Sequence, residues 1–212
     1  DVRSAEARVC LGEQALRAGR FEAAGDQFEA AHRLDADEPG VDLGLARIAH
    51  HQSQDGRALT LLRRELKRSG QRPEQALQVA RLLIELHHPN RATEVLTRVL
   101  ELSPASACGR QVVVDALLCR GVAHTLAGRT DCAVADYRRA ARLAPSCGAA
   151  MRGLAQAYAD LGRLRQASYW LQRAQRALPG DPALRHLRRR LMLATVRRAG
   201  HRILAPLRAI RK

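Results

Sequence analysis

The most constraining feature of this sequence is an alanine that recurs at a nearly fixed interval along most of the chain. The spacings are 34, 34, 41 and 34 residues, and the alanines are Ala24, Ala58, Ala92, Ala133 and Ala167. Four residues after each stands a large side chain: Phe28, Leu62, Leu96, Tyr137 and Leu171. Residues four apart share one face of an α-helix. The interval therefore predicts stacked helical units that bury equivalent faces.

Turn and composition signals support helical units. Eight residues after each large side chain comes a position that ends the helix, occupied by Ala36, Gly70, Pro104, Pro145 and Pro179. Proline cannot continue a helix. Short glycine turns at 18–21, 127–130 and 161–164 divide units into two helices. The chain is 46% hydrophobic but only 3% aromatic, a composition that favours helices over sheets.

A small residue also recurs in the first helix of each unit. The residues are Gly12, Ala46, Ala80, Gly121 and Ala155. Together these columns resemble the tetratricopeptide repeat (TPR) family over about residues 5–181. The resemblance implies an all-α fold, a right-handed superhelical solenoid of antiparallel helix pairs. It divides the chain into five repeats, at 5–38, 39–72, 73–106, 114–147 and 148–181.

Two segments lie outside the regular repeat. A seven-residue insert, 107–113, makes nearly two helical turns and so preserves the buried face. We therefore expect one long helix from about Ala107 to Ala127, with Ser106 as its N-cap. Residues 182–212 predict a basic amphipathic capping helix, with an apolar stripe at Leu184, Leu187, Leu191 and Ala194. A short segment around Pro206 then either folds back onto the cap or frays.

The resemblance implies that the first helix of each repeat lines a groove where a partner docks. The predicted groove residues are Glu13, Leu43, Arg47, His50, His51, Leu77, Arg81, Val122, Arg152 and Gln156. Arg47 and Arg81 hold matching positions one repeat apart, beside the two histidines. We hypothesise that this cationic strip receives an acidic segment, the alternative being arginines that are simply solvated. The residues by which some TPR proteins clamp chaperone tails have no counterpart in any register.

Positive charge is concentrated at the C-terminal end. The chain has a net charge of +15, and residues 161–212 hold 14 basic residues against Asp181 alone. The predicted basic cap is Arg185, Arg188, Arg189, Arg190, Arg197 and Arg198. Such a surface attracts acidic proteins or phosphates, or it only keeps a terminal helix soluble. Contact with an anionic membrane surface is a further alternative. The shortage of aromatic side chains argues against recognition of nucleic-acid bases.

The sequence carries none of the common enzyme motifs. It has no GxxxxGK[ST], GxGxxG, GxSxG or HExxH segment. Its five cysteines are odd in number and form no CxxC pair, which indicates free thiols packed as small core residues in a reducing compartment. Adjacent histidines on a helix diverge by about 100° and are poor metal ligands. We therefore predict no catalytic residue, cofactor or metal.

The favoured function is a non-enzymatic, cytoplasmic scaffold or adaptor that binds a protein or peptide on its groove and basic cap. Two alternatives stay open. One is an RNA- or phosphate-binding helical repeat that acts through the arginine-rich end. The other is an attachment domain of a larger enzyme, whose chemistry would lie in another part of the protein.

Overall fold

The computed structural model describes the backbone of residues 4–69, 72–102 and 107–209, and the side chains of 4–68, 72–102 and 109–196. This part of the chain forms α-helices and no strand. The helices are α1 (Ala5–Arg17), α2 (Phe21–Leu34), α3 (Val41–His51), α4 (Asp55–Ser69), α5 (Pro73–Glu85), α6 (Pro89–Leu102), α7 (Ala107–Leu126), α8 (Thr130–Leu143), α9 (Gly148–Asp160), α10 (Leu164–Ala177) and α11 (Pro182–Ala209). The predicted all-α fold of helix pairs is confirmed.

Packing divides the chain into two compact units, Asp1–Ala116 and Leu117–Lys212, with the boundary inside α7. In unit 1 the pairs are α1 with α2, α3 with α4 and α5 with α6, and each pair packs on the next. In unit 2, α8 packs on α9, α9 on α10, and α11 covers α10 and part of α9. The division into five repeats stays our proposal, and the helix pairs are compatible with it.

The recurring positions of the sequence form the cores of both units. The five alanines that define the period are fully buried, and all five large side chains that follow them are buried. Burial of one such large apolar side chain contributes about 1.5–3 kcal/mol to folding. The repeated pattern therefore acts through packing, because each second helix presents the same face to the first helices beside it.

Four glycines of the first helices make room for two aromatic rings. A Cβ atom added at Gly12 or Gly44 would lie 2.8 or 2.2 Å from the Phe28 ring. In unit 2, a Cβ at Gly121 or Gly153 would lie 2.5 or 2.7 Å from the ring of Tyr137. These distances are much shorter than a van der Waals contact, so a side chain at any of the four positions would clash with the ring. Glycine is required here because an aromatic ring from the second helix lies against the backbone of two first helices.

Two buried carboxylates are held by arginines of the neighbouring helix. Asp42 is fully buried and accepts hydrogen bonds from Arg64 at 2.8 Å and Arg68 at 3.1 Å. Asp136 is 5% exposed and accepts two from Arg120, at 2.7 and 2.8 Å. Each pair joins the two helices of one proposed repeat. Both carboxylates are thus hydrogen-bonded, which offsets the cost of burying their charge.

The extents of α7 and α11 were both expected from the sequence, with different outcomes. The long helix expected at 107–127 is α7, which ends one residue earlier, at Leu126; its expected cap, Ser106, lies outside the described residues. The separate segment expected around Pro206 is wrong, because α11 continues to Ala209. Pro206 lies in the last turn of α11, and only three residues of the helix follow it.

The expectation that the cysteines are core residues is wrong for two of them. Cys10 and Cys132 are exposed, whereas Cys119 and Cys147 are half-buried. Cys10 follows the buried Val9, and Cys132 precedes the buried Ala133. Adjacent helical residues point about 100° apart, so each of these thiols faces away from the core.

Candidate functional site

A cleft in unit 2 brings together three of the predicted groove residues. Its volume is about 370 Å³, and we call it the first-helix cleft because α7 and α9 are the first helices of the proposed fourth and fifth repeats. Its lining is mainly apolar and comes from α7, α8, α9 and α11. The lining residues are Leu118, Cys119, Val122, Thr125, Tyr137, Ala149, Arg152, Gly153, Gln156, Ala183 and Leu187.

Helical spacing explains why Val122, Arg152 and Gln156 face the same cleft. Leu118 and Val122 are four residues apart on α7, and Arg152 and Gln156 are four apart on α9. Residues at this spacing share one helix face. Val122 is 42% exposed, although it is a large apolar side chain in the middle of a helical unit. An apolar side chain left open in a concave site is available to a ligand.

Tyr137 closes the floor of the first-helix cleft. Its ring fits between α7 and α9 because Gly121 and Gly153 carry no side chain, and it is 5% exposed. Burial raises the pKa of Tyr137, an effect that the nearby Thr125 hydroxyl partly offsets. The phenol is therefore neutral at pH 7, so the floor of the cleft carries no charge.

The polar side of the cleft is held by ion pairs and hydrogen bonds. Arg152 Nη1 donates to Asp181 Oδ2 at 2.8 Å, and Gln156 Nε2 donates to Asp160 Oδ1 at 3.0 Å. The pKa of Asp181 is lowered, chiefly because its carboxylate accepts the Ala183 N–H and also by the Arg152 guanidinium. A charged Asp181 holds Arg152 beside the cleft. The guanidinium is thus fixed in direction before any ligand arrives.

The cationic strip expected in unit 1 is engaged in internal contacts. Arg47 Nη2 donates to Gln78 Oε1 at 2.9 Å, and Arg81 Nη2 lies 3.6 Å from Asp115 Oδ2. His50 Nδ1 lies 2.9 Å from Asp55 Oδ1, and the His51 ring stacks on Phe21 with centroids 3.6 Å apart. These contacts orient the four side chains from within unit 1, and the binding of an acidic segment by the strip stays a prediction. Glu13 is also a predicted groove residue of unit 1. Its Oε2 lies 3.5 Å from Arg17 Nη2.

Leu43 and Leu77 do not line a groove, which corrects the sequence interpretation. Each is only 4% exposed and belongs to the core. The reason is the crowding of their helices: α3 packs against α1, α2, α4 and α5, and α5 packs against α3, α4 and α6. Little of either helix surface is left open, so positions that the repeat pattern places on the outward face are covered.

The basic cap packs its apolar stripe against the core of unit 2. Leu184, Leu187 and Leu191 of α11 are buried as expected, and they join the core cluster of α9 and α10. The four predicted cap arginines whose side chains are described, Arg185, Arg188, Arg189 and Arg190, are exposed. Arg190 donates to Asp160 Oδ1 at 2.7 Å. The side chains of Arg197 and Arg198 lie outside the described residues.

Sequence reasoning missed part of the first-helix cleft. Leu187 was assigned only to the packing of the cap, and Thr125 and Tyr137 were not recognised as lining residues. A usable signal existed for Tyr137, because an aromatic ring flanked by glycines in both neighbouring first helices must reach between those helices. Within the described residues, no cluster of His, Cys, Asp and Glu could hold a metal ion. No helix described here combines the length and apolarity that a membrane span requires.

Solved structures of similar fold are repeat proteins of low sequence identity. Yeast Tom70 superimposes with a TM-score of 0.74 at 17% identity, over 100% of this chain and 44% of that chain. This chain thus spans less than half of Tom70. PilW, a type IV pilus biogenesis factor, gives a TM-score of 0.74 at 18% identity, over 95% of this chain and 94% of the other. YrrB, a TPR protein with an unusual peptide-binding site, gives a TM-score of 0.66 at 16% identity, over 89% of this chain and 94% of the other.

These identities are low, so the likeness to solved structures concerns the fold alone. No curated protein sequence matches the chain. Family models described as tetratricopeptide repeat match residues 4–73, 77–146 and 124–191, which is most of its length. TPR helix pairs are typical of non-catalytic scaffolds for protein–protein interaction. The chain belongs to the tetratricopeptide repeat family.

Proposed function

We propose that this protein is a scaffold that binds a peptide segment of a partner protein in the first-helix cleft of unit 2. The observation that carries the proposal is the convergence of Val122, Arg152 and Gln156 on one cleft of about 370 Å³. That volume lies within the range of about 300–1,000 Å³ that is usual for ligand sites. A few polar groups around a mainly apolar lining are also usual there.

The lining indicates the kind of segment that fits. Leu118, Val122 and Leu187 offer an apolar surface to a side chain of the ligand, above a neutral Tyr137. Arg152 is 47% exposed and keeps donors available beside its contact with Asp181. We therefore propose an apolar anchor with a carbonyl or carboxylate close to it. The peptide-binding site named for YrrB supports the proposal by analogy of fold alone.

The test is selection of peptides from a displayed library on the full chain, followed by affinity measurements for a selected peptide. We expect Val122→Glu to weaken binding about tenfold or more, because a charged side chain replaces part of the apolar wall against which the ligand's anchor packs. Leu126→Glu is the matched control: Leu126 is 54% exposed, one turn further along α7, and does not line the cleft. Equal binding by the two variants, or selection of no peptide, would refute the proposal.

The basic cap is proposed as an accessory surface for an acidic partner, supported by the exposed Arg185, Arg188 and Arg189. The RNA-binding alternative has less support. Tyr169 is exposed on α10, whereas Trp170 is half-buried against the core of unit 2, and the guanidinium of Arg173 lies 6.0 and 5.2 Å from their ring centroids. The cytoplasmic location stays a proposal that rests on the cysteine pattern of the sequence.

A further inference from the structure

A second cleft, of about 260 Å³, lies in unit 1 on helices that the groove prediction did not include. We call it the second-helix cleft, because α4 and α6 are the second helices of the proposed second and third repeats. One residue of α5 completes it. The lining residues are Leu59, Leu62, Arg63, Leu66, Leu83, Arg91, Glu94, Val95 and Arg98.

The floor of the second-helix cleft is apolar and only partly covered. Leu62 and Leu83 are buried, at 1% and 3% exposed, and they form the base. Leu59, Leu66 and Val95 are half-buried around that base. Leu59, Leu62 and Leu66 are three and four residues apart, so they form one stripe along α4. The stripe extends beyond the core and is partly open to solvent.

The sides of the second-helix cleft carry unbalanced positive charge. Arg63, Arg91 and Arg98 are exposed, and within the described part of the chain none of them forms a hydrogen bond or an ion pair. Glu94 is the acidic residue of the lining. Elsewhere on α4, by contrast, Arg64 and Arg68 are bound to the buried Asp42. Arginines that hold the fold together are thus distinct from those around the cleft.

We propose that the second-helix cleft docks an acidic amphipathic helix of a partner protein. A stripe of apolar side chains at i, i+3, i+4 and i+7 on the partner would lie against Leu59, Leu62 and Leu66. Glutamates or aspartates flanking that stripe would meet the three arginines, which gives orientation and a faster encounter. The arginine fork pairs well with carboxylates.

The size and the chemistry of the second-helix cleft favour an amphipathic helix over a small molecule or a nucleic acid. The cleft is smaller than the range of about 300–1,000 Å³ that holds whole small molecules, so it suits a few side chains of a longer segment. Its lining contains no aromatic residue on which a nucleic-acid base could stack. The proposal does not depend on the first-helix cleft. The lining of the second-helix cleft lies entirely in unit 1, and the lining of the first-helix cleft lies entirely in unit 2.

The experiment measures binding of a fluorescent synthetic helix of about four turns to the full chain by anisotropy. The peptide carries leucines at i, i+3, i+4 and i+7 and glutamates on the flanks; a scrambled peptide of equal composition lacks the stripe. We expect the striped peptide to bind more tightly than the scrambled one. Added salt weakens binding, because exposed charges are screened.

Charge variants locate the site. We expect Arg63→Glu with Arg98→Glu to lower the affinity about tenfold or more, since attraction becomes repulsion at two positions. Glu94→Gln raises the affinity, because it removes a like charge. The matched control is Arg165→Glu with Arg176→Glu, which makes the same charge change at exposed positions of α10 in unit 2 and leaves binding unaltered.

Three results would overturn the proposal. The first is equal binding of the striped and scrambled peptides, which would show that charge attraction alone causes the binding. The second is an equal loss of affinity in the α10 control. The third is tighter binding of RNA or of anionic lipid vesicles than of the striped peptide, with the same dependence on Arg63 and Arg98. Circular dichroism of each variant verifies folding, and Val122→Glu, which tests the first-helix cleft, leaves this binding intact.

Discussion

At the residue scale, the half-buried Arg120 of α7 pairs with the buried Asp136 of α8 and so links the two helices. His124 also approaches Asp136, with Nε2 3.7 Å from Oδ2. Burial lowers the pKa of His124, and its Nδ1 accepts a hydrogen bond from Arg129 at 3.1 Å. The imidazole is therefore neutral at pH 7, and Arg120 supplies the compensating charge. The hydrogen bond to Asp136 in turn raises the pKa of Arg120.

This arrangement predicts a strong difference between a single and a double substitution. Arg120→Met leaves the buried Asp136 carboxyl without its main partner, which should lower the free energy of unfolding by about 3 kcal/mol. Arg120→Met with Asp136→Leu removes both charges and should recover most of that loss. The measurement is urea unfolding followed by circular dichroism. If Arg120→Met were as stable as the double variant, solvent would already supply the hydrogen bonds that Asp136 loses.

At the element scale, the fit of Phe28 between two first helices depends on the missing side chains of Gly12 and Gly44. Gly44→Ala would place a Cβ 2.2 Å from the Phe28 ring, so the ring or α3 must move. We expect a loss of about 1–3 kcal/mol in the free energy of unfolding. Phe28→Leu added to Gly44→Ala should recover part of it, because Leu62 and Leu96 occupy this column in the neighbouring repeats.

A matched glycine distinguishes this clash from the general effect of alanine in a helix. Gly25 lies in α2, and a Cβ there would meet its nearest atom at 3.9 Å. Gly25→Ala should therefore raise the free energy of unfolding by about 0.5–1 kcal/mol, because the unfolded chain loses freedom. Urea unfolding measures all three variants. If Gly44→Ala and Gly25→Ala changed stability in the same direction, the packing interpretation would be wrong.

The elements also show what sequence can and cannot reveal. Helix pairs were predictable because buried columns such as Ala24 and Ala58 recur at a fixed interval, and proline and glycine mark the ends of helices. The first-helix cleft was partly predictable, since Val122, Arg152 and Gln156 follow from helical spacing. Leu43 was misplaced because a repeat pattern does not show how many neighbours cover an internal helix. The second-helix cleft depends on the gap between α4 and α6, which no local pattern encodes.

At the scale of the whole molecule, each unit has a core of its own. Val9, Phe28 and Val41 belong to a cluster in unit 1, whereas Tyr158, Leu171 and Leu184 belong to one in unit 2. In repeat proteins, stability is roughly a sum of repeat terms and nearest-neighbour interfaces. A terminal helix therefore stabilises mainly the repeat it covers. The single tryptophan, Trp170, packs against the unit 2 cluster, so its fluorescence reports on that unit.

Removal of residues 182–212 should therefore destabilise unit 2 selectively. The deletion takes away Leu184, Leu187 and Leu191 and exposes their partners on α9 and α10, a loss of several kcal/mol at about 1.5–3 kcal/mol per leucine. We expect the Trp170 transition to move to lower urea, while part of the circular dichroism signal still unfolds at the original urea concentration. In the full chain, Leu191→Ala should lower unfolding free energy by about 2–3 kcal/mol.

The neighbouring Met192 provides the control, because it is 69% exposed on the same helix. Met192→Ala should change stability by less than about 0.5 kcal/mol. If Leu191→Ala instead moved the fluorescence and circular dichroism transitions together by the same amount, the two units would unfold as one cooperative body. The cap would then stabilise the whole chain, because a local loss of packing would be shared by all eleven of the described helices.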